Sequence, residues 1–362
     1  MSYCTLPRKQ TICKLNPSYS KNKAAVQPII SFSLTHYLKI AQNQIKLLQE
    51  SENTECNIEI IYKVINPYEF VHSRVPGSNF SVSKIKASSS IFYTFMEIVN
   101  SFNIFEPFNG RNIKSLHCGK NNAATIDCMN IFRENNNDYN YDLDQTNLKS
   151  IIGVEPMTVD FLYFELNDLS EDSDINKHII EFVNALCYIL TYQNVNGVCI
   201  IKVDSIFFKP ILEIIYLLTN MYEKVYIIKP NVSNVLNNEK FIICKNFISD
   251  YSKTIENNKI LNILKTIITE FAVNGNILTS IFESELPYYF LNKIEESNII
   301  IGQQQLEHFL TDNLTDNLTD NLTDNLTDNL PDNLPDDLTD DLNIILNYSD
   351  TINDAETRNY KL

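Results

Sequence analysis

Apolar positions fall into short runs separated by amphipathic stretches, and their spacing sets the expected elements. Residues 31–49 carry Leu34, Leu38, Ala41, Ile45 and Leu48 at helical spacing, and residues 89–105 form a second amphipathic stretch. Residues 58–64 read as a strand. From residue 112 strands and helices alternate: strand 113–117, helix 123–133, strand 159–164 (VDFLYF), helix 176–192, strand 198–203 (VCIIKV), helix 209–222, then strands 224–228 and 240–245. Short apolar strands separated by helices predict an α/β domain, a mostly parallel sheet with helices on both faces. The last two strands are joined by about ten residues without a helix, too few for a parallel crossover, so one antiparallel strand is expected near the sheet's edge. Helices over 254–271 and 283–296 follow as a cap. Residues 135–144, dense in Asn, Asp and Tyr, read as a polar loop, and the first thirty residues as an irregular arm. About 25 residues separate the helix at 123–133 from VDFLYF, short of a full strand–helix–strand unit; the half-sheet there is expected to shrink to one strand at 150–154.

Composition narrows the class. The 362 residues hold 44% hydrophobic positions, enough for a large core, with seven glycines and no tryptophan. The Asn- and Ile-rich usage resembles AT-rich coding, as in large DNA viruses. No apolar run is long enough to span a bilayer, and residues 1–16 lack the apolar core of a signal peptide, so a cytoplasmic protein without a membrane partner is expected. The eight cysteines form no CxxC pair and several lie in apolar runs, reading as reduced buried thiols; the five histidines show no metal-ligand spacing, so no metal is expected. Net charge is −16, but residues 311–342 contribute ten aspartates and no cation, leaving −16 + 10 = −6 for the rest. In that segment TDNL recurs eight times with drift to PDNL, PDDL and TDDL, which predicts a solvated disordered tail able to dock a protein partner. The expected organisation is an arm (1–30), a helical region (31–105), a catalytic-type α/β domain (106–250), a helical cap (251–310) and the acidic tail (311–362).

Residues 198–247 carry a family pattern. The text runs VCIIKVDS, then KVYIIKPNVSNVLNNEKFIICKNF. One strand ends in Lys202, the next in Lys229-Pro230; Ser233 and Asn237-Asn238-Glu239 follow, then a strand closing on Cys244-Lys245-Asn246-Phe247. This resembles the FtsJ-like RNA ribose 2′-O-methyltransferases, of the viral and cap-methyltransferase type. The resemblance implies a Rossmann-like methyltransferase sheet, S-adenosylmethionine as cofactor, RNA as partner, and a Lys-Asp-Lys-Glu tetrad that handles a poorly nucleophilic hydroxyl. It makes Lys202 the central lysine and Glu239 its carboxylate partner, and gives Lys229 and Ser233 to RNA binding.

Several positions depart from that pattern. Thr94, in Thr94-Phe95-Met96-Glu97-Ile98, stands where the family has its first lysine; Lys84 and Lys86 lie upstream as substitutes. Glu165 replaces the family's aspartate, with Asp168 nearby. The resemblance assigns cofactor contacts to Cys118, Gly119, Asn122, Ala123, Ala124 and Glu165, yet the paired glycines of that loop are Ala123 and Ala124, and Lys120 stands at an acidic position. Taken singly, Lys202 and Lys229 are ordinary polar strand ends and Gly119 a turn residue. Three functions remain open: impaired or intact ribose methylation, RNA or protein binding without catalysis, and a scaffold docking through its tail.

Overall fold

The computed structural model describes residues 2–8, 14–22, 26–50, 68, 71, 83–143, 154–167, 175–234, 238–248 and 251–309. The strand at 58–64, the half-sheet strand at 150–154 except Val154, Asp168 and the acidic tail lie outside them.

The alternation after residue 112 produces the strands and helices expected of it. Strands β3 (Lys114–Cys118), β5 (Val159–Glu165), β6 (Gln193–Val203), β7 (Tyr222–Lys229) and β8 (Lys240–Phe247) join β1 (Ser2–Leu6) and β4 (Tyr139–Leu143) in one sheet. Its order is β1-β7-β8-β6-β5-β3-β4. Strands β3, β4, β5 and β6 run parallel, β8 is antiparallel to both neighbours, and β1 is antiparallel to β7. This is a Rossmann-like α/β sheet with helices on both faces. The antiparallel pairing expected at 224–245 forms, with β8 between β7 and β6, and β1 is a second antiparallel strand.

Two further expectations are corrected. The segment 135–144 is not loop alone: Tyr139–Leu143 pairs in parallel with all of β3. Its alternation of Tyr139, Tyr141 and Leu143 with Asn140 and Asp142 is an edge-strand pattern, and its polarity fits its having one neighbour among the described residues. The expected irregular arm holds two strands: Cys4 and Leu6 are buried on β1, and β2 (Leu15–Ser20) pairs with β9 (Ile277–Phe282) in a second sheet.

Helices α2 (Ile91–Phe102) and α3 (Asn122–Phe132) cover one face of the main sheet. There Phe92, Phe95, Ile98, Cys128 and Met129 pack on Phe161, Tyr163, Val198, Ile200, Phe241 and Ile243. Helices α4 (Ile175–Tyr192) and α5 (Lys209–Met221) cover the other face, packing on Leu162, Phe164, Cys199, Ile201, Ile242 and Cys244. That core extends to α6 (Tyr251–Asn274), β9 and α7 (Tyr288–Phe309). Helix α1 (Phe32–Glu50) precedes them in sequence. Strand β5 is buried throughout, β6 from Gly197 to Val203 and β8 from Lys240 to Cys244, which is why they read as continuous apolar runs. Residues 1–303 form one compact unit; in the second, residues 304–362, the described part is the end of α7.

Candidate active site

Open α/β sheets place ligands at the carboxyl ends of their parallel strands. Glu165 is the last residue of β5, and strand register sets it beside Lys202 on β6. Glu239 immediately precedes β8, whose first residue pairs with Val203, so the antiparallel hairpin returns a carboxylate to the same rim. The Lys202 ammonium lies 3.4 Å from Glu165 Oε1 and 3.2 Å from Glu239 Oε2, and all three side chains are nearly buried. Thr94, in the first half of α2, reaches the same place. Together these four line a cavity of about 220 Å³ with Ser89, Ser90, Asn121, Ser233 and Asn234. Lys202, Glu239, Glu165 and Thr94, which came from three separated stretches of sequence, thus meet in one cavity. The cluster sets one described ammonium against two carboxylates. Lys84 and Lys86 are exposed and do not line the cavity, so neither replaces the absent cation.

Glu165 has a second set of contacts. Its Oε2 accepts the Asn121 backbone N–H at 3.1 Å and its Oε1 the Asn121 side-chain amide at 2.8 Å. A carboxylate at the start of α3 complements the helix dipole. Gly119 is no generic turn: a Cβ there would come within 2.5 Å of the Glu165 Cβ, so the loop lies against Glu165 only because it lacks a side chain. His117, fully buried with its pKa pushed down to about 3 by desolvation, stays neutral and bonds Thr125 Oγ1 at 2.9 Å, fixing α3 to β3.

The remaining loop positions divide. The Asn122 amide donates to Asp142 Oδ1 at 2.7 Å and to the Leu143 carbonyl at 2.8 Å, spanning the crevice between the ends of β3 and β4. Its own Oδ1 is buried without a hydrogen-bond partner among the described residues. The Cys118 side chain is buried in the core on the α4 face. Ala124 packs into the α2 layer while Ala123 is exposed, and neither lines the cavity.

The positions assigned to RNA also take a different form. Lys229 is buried, and its ammonium donates to the carbonyls of Asn234 at 2.9 Å and Glu239 at 3.0 Å. Burial pushes its pKa down to about 8, opposed by Glu239 and Asp204 and aided by Lys202. This lysine ties the β7–β8 loop together, so its head is not presented to a ligand. Ser233 is buried and donates to the Pro230 carbonyl at 2.7 Å, yet its side chain borders the cavity. Glu97 was missed as a functional residue although it sits in the Thr94 motif. Its carboxylate accepts the backbone N–H groups of Asn231 at 3.1 Å and Val232 at 3.0 Å, clamping that loop to α2. Nothing local in the sequence distinguishes it from a surface glutamate.

The sheet order and the cavity at its carboxyl rim define a Rossmann-like methyltransferase domain. The FtsJ-like methyltransferase family model matches residues 95–247, the segment that holds the sheet and the cavity. It is also similar to the cap-specific mRNA (nucleoside-2′-O-)-methyltransferase 1 of Dictyostelium discoideum, 33% identical over 129 residues, covering 34% of this chain and 16% of that protein. The chain thus matches only a small part of that relative's length. Among the described residues no helix is long and apolar enough to cross a membrane, and no three His, Cys, Asp or Glu side chains cluster to hold a metal.

Proposed function

We propose that residues 95–247 methylate a ribose 2′-hydroxyl of RNA, of the mRNA-cap type, with S-adenosylmethionine as methyl donor. The observation that carries this reading is the Lys202 ammonium held between Glu165 and Glu239 on the cavity floor. A hydroxyl is a weak nucleophile with a high pKa, and catalysis requires it to be oriented and its proton accepted at the moment of attack. Lys202 donates to the ribose oxygen, fixing the lone pair that attacks. Glu165 and Glu239 hold the ammonium, and their remaining lone pairs receive the proton. Both carboxylates come from strand ends braced by the sheet, so little reorganisation is needed.

The described residues fit the cofactor's chemistry. The orphaned Asn122 Oδ1 lacks a donor, which an amine or ribose hydroxyl supplies. Asp142, exposed at the end of β4, and Glu165 suit a cationic, diol-bearing molecule, and the start of α3 suits its carboxylate. Asn121, Asn122, Asp142 and Glu165 would hold it. When bound, it supplies an electrophilic methyl group. The contacts Asn121–Glu165 and Asn122–Asp142 already bridge this crevice, so binding exchanges some of them and is weakened accordingly.

Methyl transfer from radiolabelled S-adenosylmethionine to a capped RNA tests the reading. Lys202→Ala and Lys202→Arg should each lower the rate about 10²–10⁴-fold. The arginine variant keeps the charge, so its loss is not one of folding. Activity unchanged in both would mean that the site is misplaced. A second reading, RNA binding without methylation, is favoured by Thr94 at the family's first lysine. Calorimetry separates the two: no heat with S-adenosylmethionine, in a protein that binds RNA, supports the second.

A further inference from the structure

We infer that an aromatic and basic strip on β1, β7 and β8 carries the single-stranded RNA flanking the nucleotide held in the cavity. This rests on RNA being the substrate. Strand register puts the strip's side chains on one face: Tyr3 opposite Ile228, Thr5 opposite Tyr226, and Lys224 beside Lys245. It is the same face that Glu165 and Lys202 occupy further across the sheet.

Helix α2 covers the sheet face between strip and cavity, and the loop that follows β7 joins the two. Strand β7 runs from Lys224 to Lys229 and enters the loop whose Val232 and Ser233 line the site. At ~3.3 Å per residue, those five steps place Lys224 about 17 Å from that loop. Tyr3 is 61% exposed, although it lies on a strand whose alternate residues are core. Its ring meets Phe102 edge-on at 5.8 Å, and Phe102 meets Tyr226 at 5.0 Å. The tyrosine is therefore held in place while most of its surface remains open. Lys245 donates to the Phe102 carbonyl at 2.8 Å, pinning it beside the aromatic group, and Lys224 is exposed.

The chemistry selects one occupant. An exposed aromatic with adjacent cations on a chain of net charge −16 is unlike its surroundings. Bases stack on such rings whatever their identity, and lysines track the phosphates. Lys245 has its pKa lowered by desolvation and by the nearby Lys224, a repulsion that a phosphate between them relieves. Of the carboxylates near this end of the sheet, Glu223 accepts from Asn246 at 2.8 Å, and Glu106 lies toward Lys245. A protein partner with an acidic surface would satisfy the lysines but leave the ring without a flat, sequence-independent counterpart.

The test is fluorescence anisotropy of the full chain with a labelled single-stranded oligoribonucleotide of about ten nucleotides. Tyr3→Ala should weaken binding about tenfold. Lys224→Ala should weaken it and flatten the dependence of log affinity on log salt by about 0.7. Tyr288→Ala, on α7 and 78% exposed, is the control and should change nothing. If RNA binds and both strip variants match the unsubstituted chain, the strip is overturned while RNA as substrate stands. If the unsubstituted chain binds no RNA, both readings fall. Loss in the strip variants with the control intact supports the assignment.

Discussion

Position 94 holds a buried threonine on the wall of a cavity whose floor sets one lysine against two carboxylates. A second cation there would offset the excess negative charge and donate to the ribose oxygen as its proton leaves. Thr94→Lys should therefore raise the methyl-transfer rate at least about tenfold, as general acid–base groups do. A folded Thr94→Lys protein no faster than the unsubstituted chain would show that the missing cation does not limit the reaction. Gly119 makes the opposite case. An added methyl would press on the Glu165 Cβ at 2.5 Å and on its Oε2 at 3.0 Å, both held by β5 and by Asn121. Gly119→Ala should destabilise the fold by about 1–3 kcal/mol and, by tilting Glu165 away from Lys202, lower the turnover rate more than the affinity for RNA. Thermal unfolding and steady-state kinetics check the two parts separately, and a variant normal in both would mean that the loop has room to move.

Among the elements, the β7–β8 loop is the one on which the site depends, and it is tied at two points. Lys229 bonds its carbonyls from within, and Glu97 bonds two of its amides from α2. Glu97→Ala leaves both amides seeking other partners and frees the segment that delivers Ser233 and Glu239. The expected outcome is a higher KM for RNA and a lower kcat, with Glu97→Gln recovering part of the loss because its carbonyl accepts one amide. Full activity in the alanine variant would show that Lys229 alone holds the loop. The same elements explain what could be read beforehand. The central stretches of β5, β6 and β8 are buried, so apolar runs announced them, and the resemblance to the FtsJ-like pattern picked out Lys202 and Glu239 at their ends. Edge strands escaped for the converse reason. Tyr139–Leu143 has one neighbour and a polar face, and Ser2–Leu6 is five residues beside a proline, so neither produces an apolar run. The burial of Lys229 was not legible because a lysine at a strand end looks the same whether it faces solvent or bonds its own loop. Glu97 and Asn122 act through backbone groups distant in sequence, and no spacing rule reports such contacts.

At the scale of the whole molecule, the sheet buries charge to place its site, and stability should record it. Lys240 is fully buried next to the ring of Phe207, at 5.3 Å, and its pKa is pushed down to about 7 by desolvation first and Lys229 second, with Asp204 opposing. In the unfolded chain a lysine titrates near 10.4, roughly the ordinary value. Between those two pH values the unfolded state holds the proton and the folded state does not, so stability from this group rises with pH across that window. Below pH 7 both states are protonated and the folded chain carries the full penalty of a buried ammonium. Lys229, lowered to about 8, acts in the same direction over a narrower range. Glu213, raised by burial despite its bonds to Ser280 and Ile281, acts with the opposite sign at acid pH, where the folded state keeps a proton that the unfolded state releases. Total stability therefore mixes signs, whereas the difference between the chain and a single variant isolates one group. Lys240→Met removes the amine while keeping an unbranched apolar stem in a site that already excludes water. It should be more stable than the unsubstituted chain at pH 6, by about 1 kcal/mol or more, roughly 2–4 °C in melting temperature. That advantage should shrink steadily toward pH 9. Denaturant unfolding at four pH values measures it, and an advantage independent of pH would mean that the Lys240 amine keeps its ordinary affinity for protons inside the fold.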